Sequence, residues 1–313
     1  MGGIFLNVNV CLDVGGTFIK GLVFDESGKE LIDGVNYYES LSTRKKEIIV
    51  DNFIYIISDL FQQVINQEKQ LSAINIAFPG PFDYQTGISY IKNLNKYDSL
   101  YQINLKELIN QKIQVLPIKL HPKITIHFFN DALSFAFGEY YSDKPSNGRG
   151  AYITLGTGCG STFIEKGKVV RGKYNIPDSG MIYKEPIEKT IIDDYLSARG
   201  LERIIYQIYG SYIEPEIIYK KALSKDKKAR TVFHLFGQLL GKGLSPYLVK
   251  FSPAHLVFGG QVSKSFTFME QSFRDSLDRM NQEMKISVSS NTSLSTIKGL
   301  NYLKNQEENQ LYI

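Results

Sequence analysis

Apolar residues run from Ile4 to Val10 and recur through 8–14, 21–24 and 30–37, three short stretches parted by polar turns, and this spacing predicts a β-meander. From 45 to 66 the period changes. Ile48, Ile49, Phe53, Ile56, Ile57, Leu60 and Phe61 fall three and four apart, the stripe of an amphipathic helix. Short apolar runs at 74–78 and 124–129 read as buried strands, which completes a small α/β unit. Beyond residue 131 the alternation resumes. Paired strands are expected at 151–155 and 161–164, helices across 190–210 and 229–250, a strand at 255–258, a segment of helical character over 265–284 and a last helix over 296–305.

Three of these strands run into glycine. In CLDVGGTFIK (11–20) the strand ends on Asp13, followed by Gly15, Gly16 and Thr17. Glycine there tolerates positive φ and lets backbone N–H groups point at a phosphate, while one carboxylate beside such a turn suffices for magnesium, which keeps waters and substrate phosphates as its other ligands. The same residues also fit a plain tight hairpin turn. Lys20 fits either a phosphate contact or an exposed strand end. A second strand-to-glycine turn, TLGTGCGS (154–161), carries Thr157 and Ser161 as hydroxyl donors, with STFI as the return strand. A third, LVFGGQVS (256–263), opens the segment that follows it. The run at 124–129 ends in Asn130 and Asp131, and both residue types make good helix N-caps as well as catalytic groups.

In this order the segments resemble the actin-like ATPase superfamily and, within it, the ROK (repressor, open reading frame, kinase) family of sugar kinases. DVGGTFIK (13–20) resembles its first phosphate motif, FPGPFD (78–83) an early substrate-side loop and NDALSFAFGE (130–139) the segment bearing the catalytic aspartate. LGTGCGSTF (155–163) resembles the second phosphate motif and FGGQVS (258–263) the adenosine motif. The resemblance implies an α/β, two-domain actin-like ATPase (ribonuclease H-like) fold with the active site in the interdomain cleft. Its expected parts are a small N-terminal domain over 1–131, a large C-terminal domain over 132–296, and a C-terminal helix over 297–313 returning to the first domain. It implies transfer of the γ-phosphoryl group of ATP to a sugar hydroxyl, the 6-hydroxyl of a hexose, a glucose-like sugar or a β-glucoside, with Mg²⁺ as cofactor. Asp131 is the expected general base, and Asn130, Asp178, Gly80 and Asn93 are the expected sugar contacts. Asp13 is assigned to the magnesium–phosphate assembly, Gly15, Gly16 and Thr17 to the first phosphate contact, Gly156, Thr157 and Gly158 to the second, and Gly259 and Gly260 to adenosine.

Composition bounds the reading. At 313 residues the chain exceeds one ordinary hydrophobic core, and 43% hydrophobic with 22% charged residues suits a soluble globular protein. No apolar stretch reaches membrane-spanning length and the start lacks a basic signal region, so a cytoplasmic location and no membrane partner are expected. The net charge of +4 is mild and forms no basic stripe, so no nucleic-acid partner is expected. The family's repressors carry a helix-turn-helix ahead of the kinase-like body; the first phosphate motif here begins at residue 13, and repressor activity is not expected. The resemblance suggests a homodimer. Two cysteines, Cys11 and Cys159, supply no disulfide framework.

Two departures from the family pattern alter the sugar end. Many members hold zinc through a histidine and a cysteine cluster after the second phosphate motif. No cysteine follows Cys159, and no zinc site is expected. The family's E-x-G-H sequence is best matched by Asp178-Ser179-Gly180-Met181. Methionine cannot donate or accept as imidazole does, so relaxed selection at one sugar position is expected. A non-catalytic sugar or nucleotide sensor is the alternative from another class.

Overall fold

The run read as the first strand is β1 (Leu6–Val14), buried on both faces: Val8, Val10, Leu12 and Val14 lie in one core cluster, and Cys11 in another. The computed structural model describes residues 5–65, 69–277, 284–304 and 311–313. β1 turns back as β2 (Phe18–Asp25), and β3 (Asn36–Glu39) completes the meander. This third strand was expected over 30–37. Gly34, with φ of 72°, bends the chain there, and Glu30 contributes only an isolated bridge to Phe24.

The predicted helix is α1 (Lys46–Gln62), with residue 66 of the expected span outside the described residues. Ile49, Val50, Phe53, Ile56, Ile57, Leu60 and Phe61 are buried, while Ile48 is 45% exposed. The stripe is therefore turned slightly from the expected one. Val50, three before Phe53 and seven before Ile57, takes the place assigned to Ile48. Then follow β4 (Lys69–Phe78), a small hairpin of β5 (Phe82–Asp83) and β6 (Ile88–Ser89), α2 (Leu105–Ile113), β7 (Leu120–Asn130) and α3 (Asp131–Ser142). The sheet order is β3-β2-β1-β4-β7, with the first three strands antiparallel and β1, β4 and β7 parallel.

The second half of the chain repeats that plan. β8 (Arg149–Leu155), β9 (Cys159–Glu165) and β10 (Lys168–Val169) form a meander. A hairpin of β11 (Pro186–Ile187) and β12 (Thr190–Ile191) leads into the helices α4 (Ile192–Tyr195), α5 (Ala198–Tyr209), α6 (Pro215–Leu223) and α7 (Lys227–Phe251). β13 (His255–Gly259) is followed by a 3₁₀ segment at Val262–Phe268, α8 (Glu270–Asp275), β14 (Lys285–Val288) and α9 (Thr292–Leu303). The order β10-β9-β8-β13-β14 again places an antiparallel meander beside two parallel strands. Thus the 190–210 stretch is a hairpin arm plus two helices rather than one. The 265–284 stretch is a 3₁₀ segment and a short helix, with 278–283 outside the described residues. The last helix starts at Thr292, earlier than expected.

By internal contacts the chain divides into Met1–Gly138 with Ser293–Gln306, and Glu139–Thr292 with Glu307–Ile313. In the first unit one sheet face packs on α1 and α2, and the other packs Cys11, Leu22, Phe24 and Ala77 on Ile297 and Leu300 of α9. Helices α3 and α9 meet at glycines. A Cβ on Gly138 would run into the Ser295 backbone, and one on Gly299 into the Ser134 backbone, so the helices touch main chain to main chain. That contact fixes the helix whose first residue is Asp131.

Candidate active site

The first glycine turn closes a β-hairpin. Asp13 pairs with Lys20 across β1 and β2, and the Gly15 N–H donates to the Phe18 carbonyl at 2.9 Å. Neither Gly15 nor Gly16 adopts a left-handed φ, so the expected need for positive φ does not hold. Space is the reason for glycine here: a Cβ on Gly15 would lie 3.0 Å from the Phe18 oxygen, and one on Gly16 3.3 Å from Cδ of Lys96. The turn is braced from behind. The hydroxyls of Ser40 and Ser42 donate to the Gly16 carbonyl, and Tyr97, buried, donates to the Gly15 carbonyl at 2.9 Å. With those carbonyls held, Thr17 is left on the exposed side.

Asp13 is half-buried, its Oδ2 3.4 Å from Lys20 Nζ, which also donates to the Ser293 hydroxyl at 2.6 Å. Burial pushes the Asp13 carboxyl above the usual range, against the pull of Lys20 and Ser293. Lys20 is thus held inward between two partners, not presented as an exposed strand end. A buried carboxylate whose charge is only partly offset, next to a hydroxyl and a glycine turn, fits a magnesium ion that brings its own phosphates and waters.

β7 delivers Asn130 and Asp131 to the same unit. The Asn130 Oδ1 accepts from the Leu133 N–H at 3.1 Å, so Asn130 does cap α3, while its Nδ2 donates to the Tyr84 hydroxyl at 3.2 Å. Tyr84 in turn donates to the Phe78 carbonyl at 3.1 Å. Asn130 thus caps the helix, and the Asp131 carboxylate accepts from the adjacent Ala132 N–H at 2.9 Å. The Asp131 side chain reaches solvent, yet protein packed around it pushes its carboxyl upward. The Ala132 N–H opposes that shift, the like charge of Asp13 adds to it, and Lys96 opposes it. Gly80 sits beside Tyr84, a Cβ there being 3.4 Å from its hydroxyl, and precedes a cis peptide to Pro81. Asn93 is exposed in a left-handed conformation, φ 60°.

The remaining candidates lie in the second unit. Gly156 opens onto free space, its carbonyl accepting from the Ala198 N–H at the start of α5, and Thr157 is exposed. At Gly158 a Cβ would lie 2.7 Å from Asp193 Oδ1, the oxygen that accepts from the Cys159 N–H at 2.7 Å, while Arg199 pairs with the other oxygen. One amide of this turn is therefore already engaged. Gly260 needs to be glycine on two counts, φ of 87° and a Cβ position 2.8 Å from the Leu155 carbonyl carbon; its N–H donates to Thr292 Oγ1 at 2.9 Å. Gly259 is buried at the end of β13. Asp178 is exposed in a loop whose neck is tied by Gly172 and Gly180 N–H groups to the Pro177 carbonyl. Met181 is half-buried, and the next N–H, of Ile182, donates to Ser161 at 3.0 Å.

Sequence reasoning missed Lys96, Tyr97, Tyr84, Asp193 and Arg199. The one local signal for the first two is the asparagine-rich KNLNKY segment, where Asn93, Asn95 and Tyr97 all take left-handed φ. Among the described residues no group of three or more His, Cys, Asp or Glu could hold a metal, and no helix is long and apolar enough to cross a membrane.

Two sheets of one topology, each with a glycine turn after its first strand, define the actin-like ATPase fold. The chain belongs to the ROK family, whose model matches residues 9–304. The N-acetyl-D-glucosamine kinase of Haemophilus influenzae (strain 86-028NP) is 25% identical over 272 residues, covering 80% of this chain and 83% of the relative. The ROK hexokinase of Thermus thermophilus superposes with a TM-score of 0.73 at 17% identity, covering 95% of this chain and 98% of the other. The ROK family glucokinase of Streptomyces griseus, solved with glucose and AMPPNP, gives 0.70 at 21% identity over 96% of this chain and 100% of the other.

Proposed function

We propose that this ATP-dependent sugar kinase of the ROK family transfers the γ-phosphoryl group to the 6-hydroxyl of a hexose, with Asp131 as the general base. The acceptor classes are glucose-like sugars, N-acetylglucosamine and β-glucosides. The kinase of Haemophilus influenzae supports the second, and Met181 in place of the family histidine supports a site that admits a substituent. The observation that supports the reading most directly is the placement of Asp131. It is an accessible carboxylate with an upward-shifted pKa, on the residue after a committed helix cap, in the same unit as Asp13 and the Gly15–Gly16 turn.

Phosphoryl transfer asks little covalent work of protein; positioning and charge carry it. Asp131 accepts the hydroxyl proton as the oxygen attacks, and burial, by shifting its carboxyl upward, makes it a stronger base for that role. Asn130, held by Tyr84, fixes the start of α3 and so the direction of the Asp131 carboxylate. Gly80 and Asn93 contact the sugar from this unit, and Asp178 is the sugar contact of the second unit. Gly15, Gly16 and Thr17 offer backbone and hydroxyl donors to phosphate, Gly156, Thr157 and Gly158 give the second phosphate contact, and Gly259 and Gly260 allow close approach of adenosine. Asp13 would hold the magnesium ion, which neutralises charge on the phosphates, while Lys20, bonded to Asp13 and Ser293, fixes the direction of the carboxylate. We place the enzyme in the cytoplasm.

The test incubates the protein with ATP, magnesium and, in turn, glucose, N-acetylglucosamine and methyl β-glucoside, reading products by phosphorus and carbon NMR. A new phosphomonoester coupled to carbon 6 of at least one sugar is expected. ATP binding without any sugar phosphate would reject the kinase reading in favour of a sensor.

A further inference from the structure

Lys96 is set against the first glycine turn, and its charge bears on the proposed base. Its side chain lies across Gly16: a Cβ added there would be 3.3 Å from Lys96 Cδ and 3.9 Å from Lys96 Cβ. It is half-buried, and among the described residues no ion pair or side-chain hydrogen bond engages its ammonium group. The segment that carries it is held hard in place. Asn93, Asn95 and Tyr97 adopt left-handed φ of 60°, 55° and 56°, conformations that cost non-glycine residues energy and persist only where neighbours enforce them. Tyr97 supplies the enforcement, its ring buried beside Phe78, its N–H on the Ser42 carbonyl at 2.7 Å and its hydroxyl on the Gly15 carbonyl. The same residue that braces the phosphate turn thus fixes the backbone next to Lys96. A half-buried lysine whose charge bears on Asp131 but whose ammonium group makes no ion pair at contact distance among the described residues keeps donors available for an anion that joins it during the working cycle.

We propose that Lys96 is a catalytic cation that contacts the γ-phosphoryl group, neutralising the charge that spreads over its oxygens as it passes from ATP to the acceptor. This rests on the sugar-kinase reading. Fixed cations aimed at a transferring phosphoryl group act in the transition state more than in ground-state binding of the acceptor. Lys96 also favours ionisation of Asp131, so one side chain serves both the phosphoryl group and the base. The step balances simply: the acceptor oxygen bonds to phosphorus, the bridging oxygen leaves on ADP, and the proton goes to Asp131, with Lys96 exchanging nothing.

The experiment compares the wild type with Lys96→Met and Lys96→Arg, each checked for an unchanged circular dichroism spectrum and melting curve. Lys96→Met is expected to lower kcat by about 100-fold with the sugar KM within about two-fold, and Lys96→Arg to retain activity within about ten-fold. Independently of turnover, calorimetry should show AMPPNP bound about ten-fold more weakly by Lys96→Met while ADP affinity is unchanged, because only the triphosphate carries the group Lys96 meets. A Lys96→Met enzyme with wild-type kcat and undiminished AMPPNP affinity would overturn the proposal. So would altered acceptor preference with intact AMPPNP affinity, which would assign Lys96 to an anionic sugar instead. A wild type that releases no ADP in response to any sugar would reject the kinase reading, and the AMPPNP and ADP comparison would still decide the contact made by Lys96.

Discussion

Replacing Gly299 or Gly138 by alanine pits two effects of known sign against each other. In a helix interior alanine is favoured over glycine by about 1 kcal/mol, so propensity alone predicts a modest gain. The crossing of α3 and α9 opposes it. The new methyl at 299 would overlap the Ser134 carbonyl, and that at 138 the Ser295 carbonyl, both main-chain atoms that no rotamer change can move. Relieving either overlap requires the helices to part by roughly 1–2 Å, which loosens contacts around the buried Ile297 and Leu300. Overpacking of this kind costs about 1–3 kcal/mol or more, and the immobile backbone puts it at the upper end. The net expectation for each variant is a loss of about 2 kcal/mol, a fall in Tm of about 5 °C. The double variant should cost less than the sum, since the first methyl already opens the crossing. Urea unfolding followed by circular dichroism reads the free energies directly. A single variant stabilised by about 1 kcal/mol would show that propensity wins and that α3 and α9 are not in main-chain contact.

Asp131→Asn should be more stable than the wild type at neutral pH and equal to it near pH 4. A carboxyl whose folded pKa is raised above its unfolded value favours the fold only when protonated, so its cost grows as pH rises from the ordinary carboxylate range through the folded pKa. Unfolding free energies between pH 4 and 8 check this, and parallel curves for the two proteins would refute it. Gly260→Ala combines a left-handed backbone with a close approach to Leu155 and should cost about 2–4 kcal/mol and weaken ADP binding, read by melting curves and calorimetry. Cys11, its thiol pushed up to about 12 by burial, and Cys159, raised by burial and by Asp193, should both resist a disulfide reagent at pH 8 until urea is added. Rapid labelling of either in the native protein would contradict their burial.

Much of this architecture was legible where local pattern and chemistry agree. The apolar run at 8–14 and the stripe at 48–61 located β1 and α1 to within a few residues, because β1 is buried on both faces and α1 buries one continuous face. The glycines at 15, 16, 259 and 260 marked strand ends, although at 15 and 16 close packing, not dihedral freedom, explains them. Illegible features depend on residues distant in sequence. Lys96 and Tyr97 meet the first turn across eighty positions, Asp193 reaches Cys159 across thirty-four, and Gly138 and Gly299 look like poor helix residues until the two helices are brought together. The third meander strand slipped because Gly34 ends the polar turn later than the apolar pattern suggested.

The central claim is that Asp131 is the base of a sugar-dependent phosphoryl transfer, and the most direct measurement is single-turnover ADP formation by wild type and Asp131→Asn with saturating ATP, magnesium and the preferred hexose. The account predicts a burst of sugar-dependent ADP from the wild type and a rate lower by about 100-fold or more in the variant, with sugar and nucleotide affinities retained. Equal rates in the two proteins would contradict it.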